Sequence, residues 1–163
     1  MSPRPSAHVQ KMPSASRSAI IQAPVEALWR RLAEIESWPR WLRVPYASES
    51  LTVTSGGPVA EGTEFTMKGR LKSRLFARIT AWKENRWLAF EICRSDYPSD
   101  RLTFGRAIIT IELEPLEEGR TRVTCHHRLD GRGVLGRLYA VVVMRALMST
   151  NTQRILDSLA AVE

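Results

Sequence analysis

Residues 121–163 read TRVTCHHRLDGRGVLGRLYAVVVMRALMSTNTQRILDSLAAVE, and within this stretch the apolar periodicity changes once. From Thr121 to Leu129 it is two: Thr121, Val123, Cys125, His127 and Leu129 fall on one face, and Arg122, Thr124, His126 and Arg128 on the other. That is a strand with one buried face. After Asp130-Gly131-Arg132-Gly133 the pattern is helical to the C-terminus. About 29 residues at 1.5 Å each would extend roughly 44 Å, longer than a small domain needs unless the helix lies across a whole sheet. A sheet wrapped around one long helix is the expected arrangement.

The upstream sequence supplies that sheet. Turn residues punctuate it at Ser55-Gly56-Gly57-Pro58, Glu84-Asn85, Tyr97-Pro98-Ser99-Asp100 and Glu117-Glu118-Gly119, predicting an antiparallel meander. Between the turns, Thr63, Phe65, Met67 and Gly69 share a face, as do Leu75, Ala77, Ile79 and Ala81. Leu88, Phe90 and Ile92 follow, then Ala107, Ile109, Ile111 and Leu113. Before the meander, SRSAIIQ (16–22) reads as a strand. A helix is expected over Pro24–Ile35, where Val25, Leu28, Trp29, Leu32 and Ile35 recur at helical spacing. Pro39 can open a second short helix whose Trp38 and Trp41 pack back on the first. The expected class is α+β: a curved antiparallel sheet of about seven strands around a long C-terminal helix, with two short helices after the first strand.

The 163 residues, 44% of them hydrophobic, suffice for one core. Residues 1–15, rich in Ser, Pro and Ala, are expected to be a disordered tail, leaving 16–163 as one domain. No run approaches the roughly 18 apolar residues of a membrane span, and the N-terminus has no apolar h-region. A cytoplasmic protein is the expectation. Cys93 and Cys125 form no disulfide framework and no metal spacing, so two reduced thiols are expected. The net charge of +7 biases association toward anionic surfaces. Its arginines are dispersed rather than gathered into a nucleic-acid-binding arm, and no specific nucleic acid is expected.

Five motifs, in order, carry a family resemblance. They are IIQAPVEALWRRLAEIESWPRWL (20–42), EGTEF (61–65), ITAWKENRWLAFE (79–91), LEPLEEGRTRVT (113–124) and the closing helix with its Gly-x-x-Gly start (from Gly133). Together they resemble the START-like (SRPBCC) superfamily with its helix-grip fold, closest to bacterial polyketide cyclase/dehydrase-like proteins, over about residues 16–163. The resemblance implies an interior cavity for a hydrophobic molecule. In the superfamily such cavities serve lipid and sterol carriers, hormone and allergen-type binders, aromatase/cyclases and ubiquinone-binding proteins. Nothing matches the ligand spacing of the iron-containing oxygenase branch, and no metal or cofactor is expected.

Polar residues on the expected inner face are the chemical candidates. His127 could bond a ligand carbonyl or act as general base, although a one-residue bulge would substitute His126. Arg145 lies on the helical wheel among Leu138, Val141, Met148, Thr152, Ile155 and Leu159, a stripe expected to face the sheet. His127 and Arg145 are therefore the catalytic candidates. Arg94, in register with Phe90 and Ile92, and Tyr139 could flank a cavity lined by Phe65, Met67, Phe90, Phe104, Ile109 and Val142.

Three functions fit this pattern. A binding module would hold a lipid, quinone or polyketide-like molecule with a carbonyl or acidic group at one end. A polyketide aromatase/cyclase-type enzyme would use His127 to move protons and Arg145 to polarise a carbonyl. A chaperone-like or interaction protein would use Val141, Val142, Val143 and Leu147 with the basic surface against a partner or an anionic membrane. The oligomeric expectation is a monomer or a homodimer.

Overall fold

Strand β1 (Ser14–Ile21) runs into helix α1 (Val25–Ala33), where Leu28, Trp29 and Leu32 supply the buried stripe. A 3-10 turn, Ile35–Ser37, leads to the short helix α2 (Trp38–Trp41), and a second, Pro45–Ala47, leads to the meander. The meander comprises β2 (Ser50–Val53), β3 (Glu64–Lys68), β4 (Arg74–Lys83), β5 (Trp87–Ser95), β6 (Phe104–Pro115) and β7 (Thr121–Gly131). The short helix α3 (Asp100–Thr103) connects β5 to β6. The computed structural model describes residues 13–161 apart from 48, 70–72 and 99.

All seven strands pair antiparallel in the order β1-β7-β6-β5-β4-β3-β2. Register shifts between β4 and β5 and between β6 and β7 bend the sheet, as extra residues in one strand of a pair do. The inner face is the one the alternation predicts except at Ala81: Thr80 is an extra residue in β4, so Ala81 pairs with Ala89 and Trp82, opposite Leu88, takes the inward place against Trp29. Phe65, Met67, Ile79, Leu88, Phe90, Ile109, Val123 and Cys125 are all buried on the inner face. Trp38 from α2 meets this face edge-on at Phe65 and tilted at Phe90, with ring centroids 6.0 and 5.3 Å away. Its Nε1–H donates to the Leu32 carbonyl at 3.0 Å, so its one polar group is satisfied inside the core. Removing each such aromatic from water stabilises the fold by about 2 kcal/mol.

The C-terminal helix differs from the expected single rod. Helix α4 (Gly133–Tyr139) passes into a π-helical segment, Ala140–Met144, and then into α5 (Arg145–Ala160). The axes of Gly133–Val142 and Arg145–Ala160 are bent by 56°, and π-helical turns are a recognised cause of such kinks. Helix α5 contributes most of the buried side chains, burying Met148, Thr152, Ile155, Leu156 and Leu159 against β1 and β7, while the preceding half packs on β7 through Gly136 and Ala140. Strand β1 is longer than expected. Ser14 and Ala15, assigned to the tail, pair with Arg128 and His127. Pro13, also assigned to the tail, accepts from the Leu129 N–H at 3.0 Å, and residues 1–12 lie outside the described residues.

Candidate ligand site

The alternation of β7 places His127 inside the grip and His126 outside. His127 is 4% exposed, whereas the His126 Nε2 lies 3.7 Å from a Glu112 carboxylate oxygen on the outer face. The alternatives left open in the sequence are thereby resolved. Continuous pairing of β7 with both β1 and β6 around these residues leaves no room for a slip there.

Opposite His127, Thr152 is a hydroxyl in the apolar stripe of α5. Its Oγ1 donates back to the Met148 carbonyl at 2.7 Å and lies 2.9 Å from the His127 Nδ1. The hydroxyl has one proton, spent on Met148, so it must accept from the imidazole. Nδ1 therefore carries the ring hydrogen and Nε2 presents a lone pair. Burial lowers the His127 pKa to about 4, because the interior disfavours the imidazolium. At neutral pH the ring is an uncharged acceptor at Nε2.

Among the described residues, two buried side-chain polar atoms have no hydrogen-bond partner: the His127 Nε2 and the Tyr46 hydroxyl. Tyr46 stands on the Pro45–Ala47 turn, half-buried overall but with its hydroxyl fully inside. Burial, and secondarily the Cys125 thiol, raise its pKa far above the ordinary tyrosine value, so it is a neutral phenol able to donate. The Cys125 Sγ is 4.0 Å from the His127 Nδ1, and burial pushes this thiol up to about 12, which removes it as a nucleophile. Gly69 makes the placement of Tyr46 possible. A Cβ there would strike the Pro45 carbonyl oxygen and come within 2.9 Å of the Tyr46 Cα. The interior thus holds an acceptor on β7 and a donor on the turn before β2, in otherwise largely apolar surroundings.

The other expected site residues divide in two. Phe65, Met67, Phe90, Ile92 and Ile109 are buried on the same inner face as His127, and Phe104 is half-buried at its margin. Arg94, Tyr139, Val142 and Arg145 are exposed, so Arg94 does not share the inner face of Phe90 and Ile92, and Val142 and Arg145 do not face inward as expected. For Arg94 the cause is the β4/β5 irregularity. Ala77 pairs with Ile92 but Phe76 with Arg94, so Cys93 is an extra residue and the parity reverses beyond it. The guanidinium stacks 3.9 Å over the Phe76 ring. It lines an open cleft of about 850 Å³ together with Arg74, Asp96, Phe104 and Arg132. For Arg145, Tyr139 and Val142 the cause is the bend, since a helical wheel assumes one straight helix in phase with the sheet. Met148 is the first buried residue of α5, and Arg145 stays outside.

Tyr46 and Thr152 were not legible as site residues. Thr152 left a faint mark as a polar residue inside the α5 stripe. Tyr46 left none, lying between the helical and alternating patterns.

A curved antiparallel sheet gripping a C-terminal helix, with two helices inserted after the first strand, defines the START-like helix-grip class. Within it, the chain belongs to the family described as polyketide cyclase / dehydrase and lipid transport, which matches residues 12–162. Among solved structures, the Zhui aromatase/cyclase from Streptomyces sp. R1128 is similar at a TM-score of 0.73 and 15% identity, covering 91% of this chain and 92% of that one. A protein from Nitrosospira multiformis gives 0.68 at 18% identity, covering 91% and 94%. The di-domain ARO/CYC BexL from the BE-7585A biosynthetic pathway gives 0.68 at 18% identity, covering 91% of this chain and 45% of that one. At these identities the likeness is one of fold. No curated protein matches the chain.

Proposed function

We propose that the protein binds a hydrophobic small molecule between the sheet and α5 and orients it by a hydroxyl or enol group. The carrying observation is the pair of unpartnered buried atoms, a lone pair at the His127 Nε2 and a proton at the Tyr46 hydroxyl. Leaving either unsatisfied costs about 1–3 kcal/mol. A group that donates to one and accepts from the other recovers that cost. A hydroxyl or enol does both, whereas a carboxylate would meet the imidazole lone pair unfavourably. This refines the expected carbonyl or acidic end of the ligand. The apolar faces of Phe65, Phe90 and Ile109 would supply the remaining affinity.

The test is titration with a polycyclic phenol and with its deoxy analogue, read by tryptophan fluorescence, Trp38 lying against Phe65 and Phe90. The phenol should bind more tightly, and Tyr46→Phe and His127→Leu should each reduce that preference about tenfold. Equal affinity for the two compounds would overturn the reading.

A cyclase or dehydratase is the second reading, favoured because a buried neutral imidazole acceptor and a buried phenol donor, both unpartnered, are the components of an acid–base pair. It also accords with the family description and the aromatase/cyclase similarity. In this reading His127, not Arg145, is the catalytic candidate. With a poly-β-ketone substrate, His127→Leu should abolish turnover and Arg145→Gln should leave it unchanged. Full turnover in His127→Leu would exclude this mechanism.

A further inference from the structure

Among the described side chains of helix α4 and the π-helical segment, the small residues pack inward and the large apolar ones face outward. Gly136 and Ala140 are buried, while Val134 and Leu135 are 83% and 78% exposed, Leu138 and Val141 more than half, and Val142 69%. Leu147 continues the exposed surface onto α5. The orientation is fixed by close backbone approach, because a Cβ at Gly136 would lie 2.6 Å from the Thr103 carbonyl oxygen and 3.1 Å from the Gly131 carbonyl carbon. No larger residue of α4 could take that place. Seven of the nine large hydrophobic side chains exposed among the described residues lie between Val134 and Leu147. A contiguous apolar surface of this kind marks a contact rather than chance exposure.

We propose that this surface docks the protein on the interface of an anionic lipid bilayer. The occupant is argued from charge. From Gly131 to Leu156 the chain carries Arg132, Arg137, Arg145 and Arg154 and no carboxylate, and Arg137 and Arg145 are exposed among the apolar residues. Apolar side chains interleaved with cations suit a surface of acyl chains beneath anionic headgroups. A symmetric second copy would set the same arginines against one another. Among the described residues no single helix is long and apolar enough to cross a membrane. The ten residues of Gly133–Val142 would rise only about 15 Å, so the segment lies in the interface rather than spanning it. The 56° bend turns the segment away from the axis of α5 and lets it meet a plane.

Flotation with phosphatidylcholine vesicles, with and without phosphatidylglycerol, tests the proposal on the full chain. The protein should float with the phosphatidylglycerol-containing vesicles and lose affinity as salt is raised. The Arg137→Gln/Arg145→Gln variant should bind about 25-fold more weakly, at about fivefold per cation. Val134→Ser/Leu135→Ser/Val142→Ser should abolish flotation while melting as the parent does, because all three side chains are exposed. Absence of flotation, or equal flotation with both vesicle types, overturns the proposal. So does a dimer in sizing experiments that the triple variant dissociates, since the surface would then belong to a second copy.

Discussion

His127 is where the chemistry of this interior is decided. Its ring is uncharged because it is buried, and its tautomer is set because the Thr152 proton is already committed to the Met148 carbonyl. Nitrogen NMR of the ligand-free protein should therefore show a protonated Nδ1 and an unprotonated Nε2. Thr152→Val should remove that preference and destabilise the fold by about 1–3 kcal/mol, by stranding a buried donor. The pH dependence follows from the lowered pKa. Between about pH 6.5 and pH 4 the unfolded histidine binds a proton that the folded one refuses, so stability is complete above this range and falls as pH drops through it. The contribution is about 3 kcal/mol. Denaturant titrations at pH 7 and pH 4 should show a loss smaller by that amount in His127→Leu than in the parent, the shared titration of carboxylates cancelling in the comparison.

At the scale of elements, two close backbone approaches place the surfaces that matter. Gly69 lets the Pro45–Ala47 turn approach the end of β3 and carry the Tyr46 hydroxyl inside. Gly69→Ala should push that turn outward and destabilise the protein by about 1–3 kcal/mol. In phenol titrations it should reproduce the loss of preference seen in Tyr46→Phe, although the tyrosine is retained. The second approach, Gly136 against Thr103 and Gly131, fixes which side of α4 meets solvent. Strand alternation was readable in advance because the period of two survives wherever one face is buried. The exceptions are instructive. Arg94 lies past an irregularity that reverses parity, and a bulge leaves no fixed mark in a strand of mixed residues. Arg145 lies beside a π-helical segment, and a wheel drawn at 3.6 residues per turn loses phase across it.

At the scale of the molecule, the bend divides the last helix between a half buried in the grip and a half that packs on β7 and α3 through its small residues and leaves its large ones exposed. Helix α5 is clamped by buried Met148, Ile155, Leu156 and Leu159 and by Arg17 of β1, which donates to the Ser149 hydroxyl at 3.0 and 3.2 Å. In the Gly133–Val142 half the described buried residues are Gly136 and Ala140. Native-state hydrogen exchange should accordingly be fastest across Gly133–Val142 and approach the global limit across Met148–Leu159, since local opening follows the buried apolar contact it disrupts. Uniform protection along both halves would mean that Gly133–Val142 is held as firmly as α5.

By itself the sequence determined the α+β class, the number of strands, their inner faces up to the β4/β5 irregularities, and the apolar character of the interior. These depend on short-range periodicity, which each segment carries within its own residues. Tertiary structure alone decided the bend in the last helix, the outward turn of Arg94 and Arg145, and the meeting of His127 with Thr152 and of the Pro45–Ala47 turn with Gly69. Those features depend on how distant segments approach one another, on the last few tenths of an ångström at a glycine and on one extra residue in a strand or helical turn. No local pattern of residue types records them.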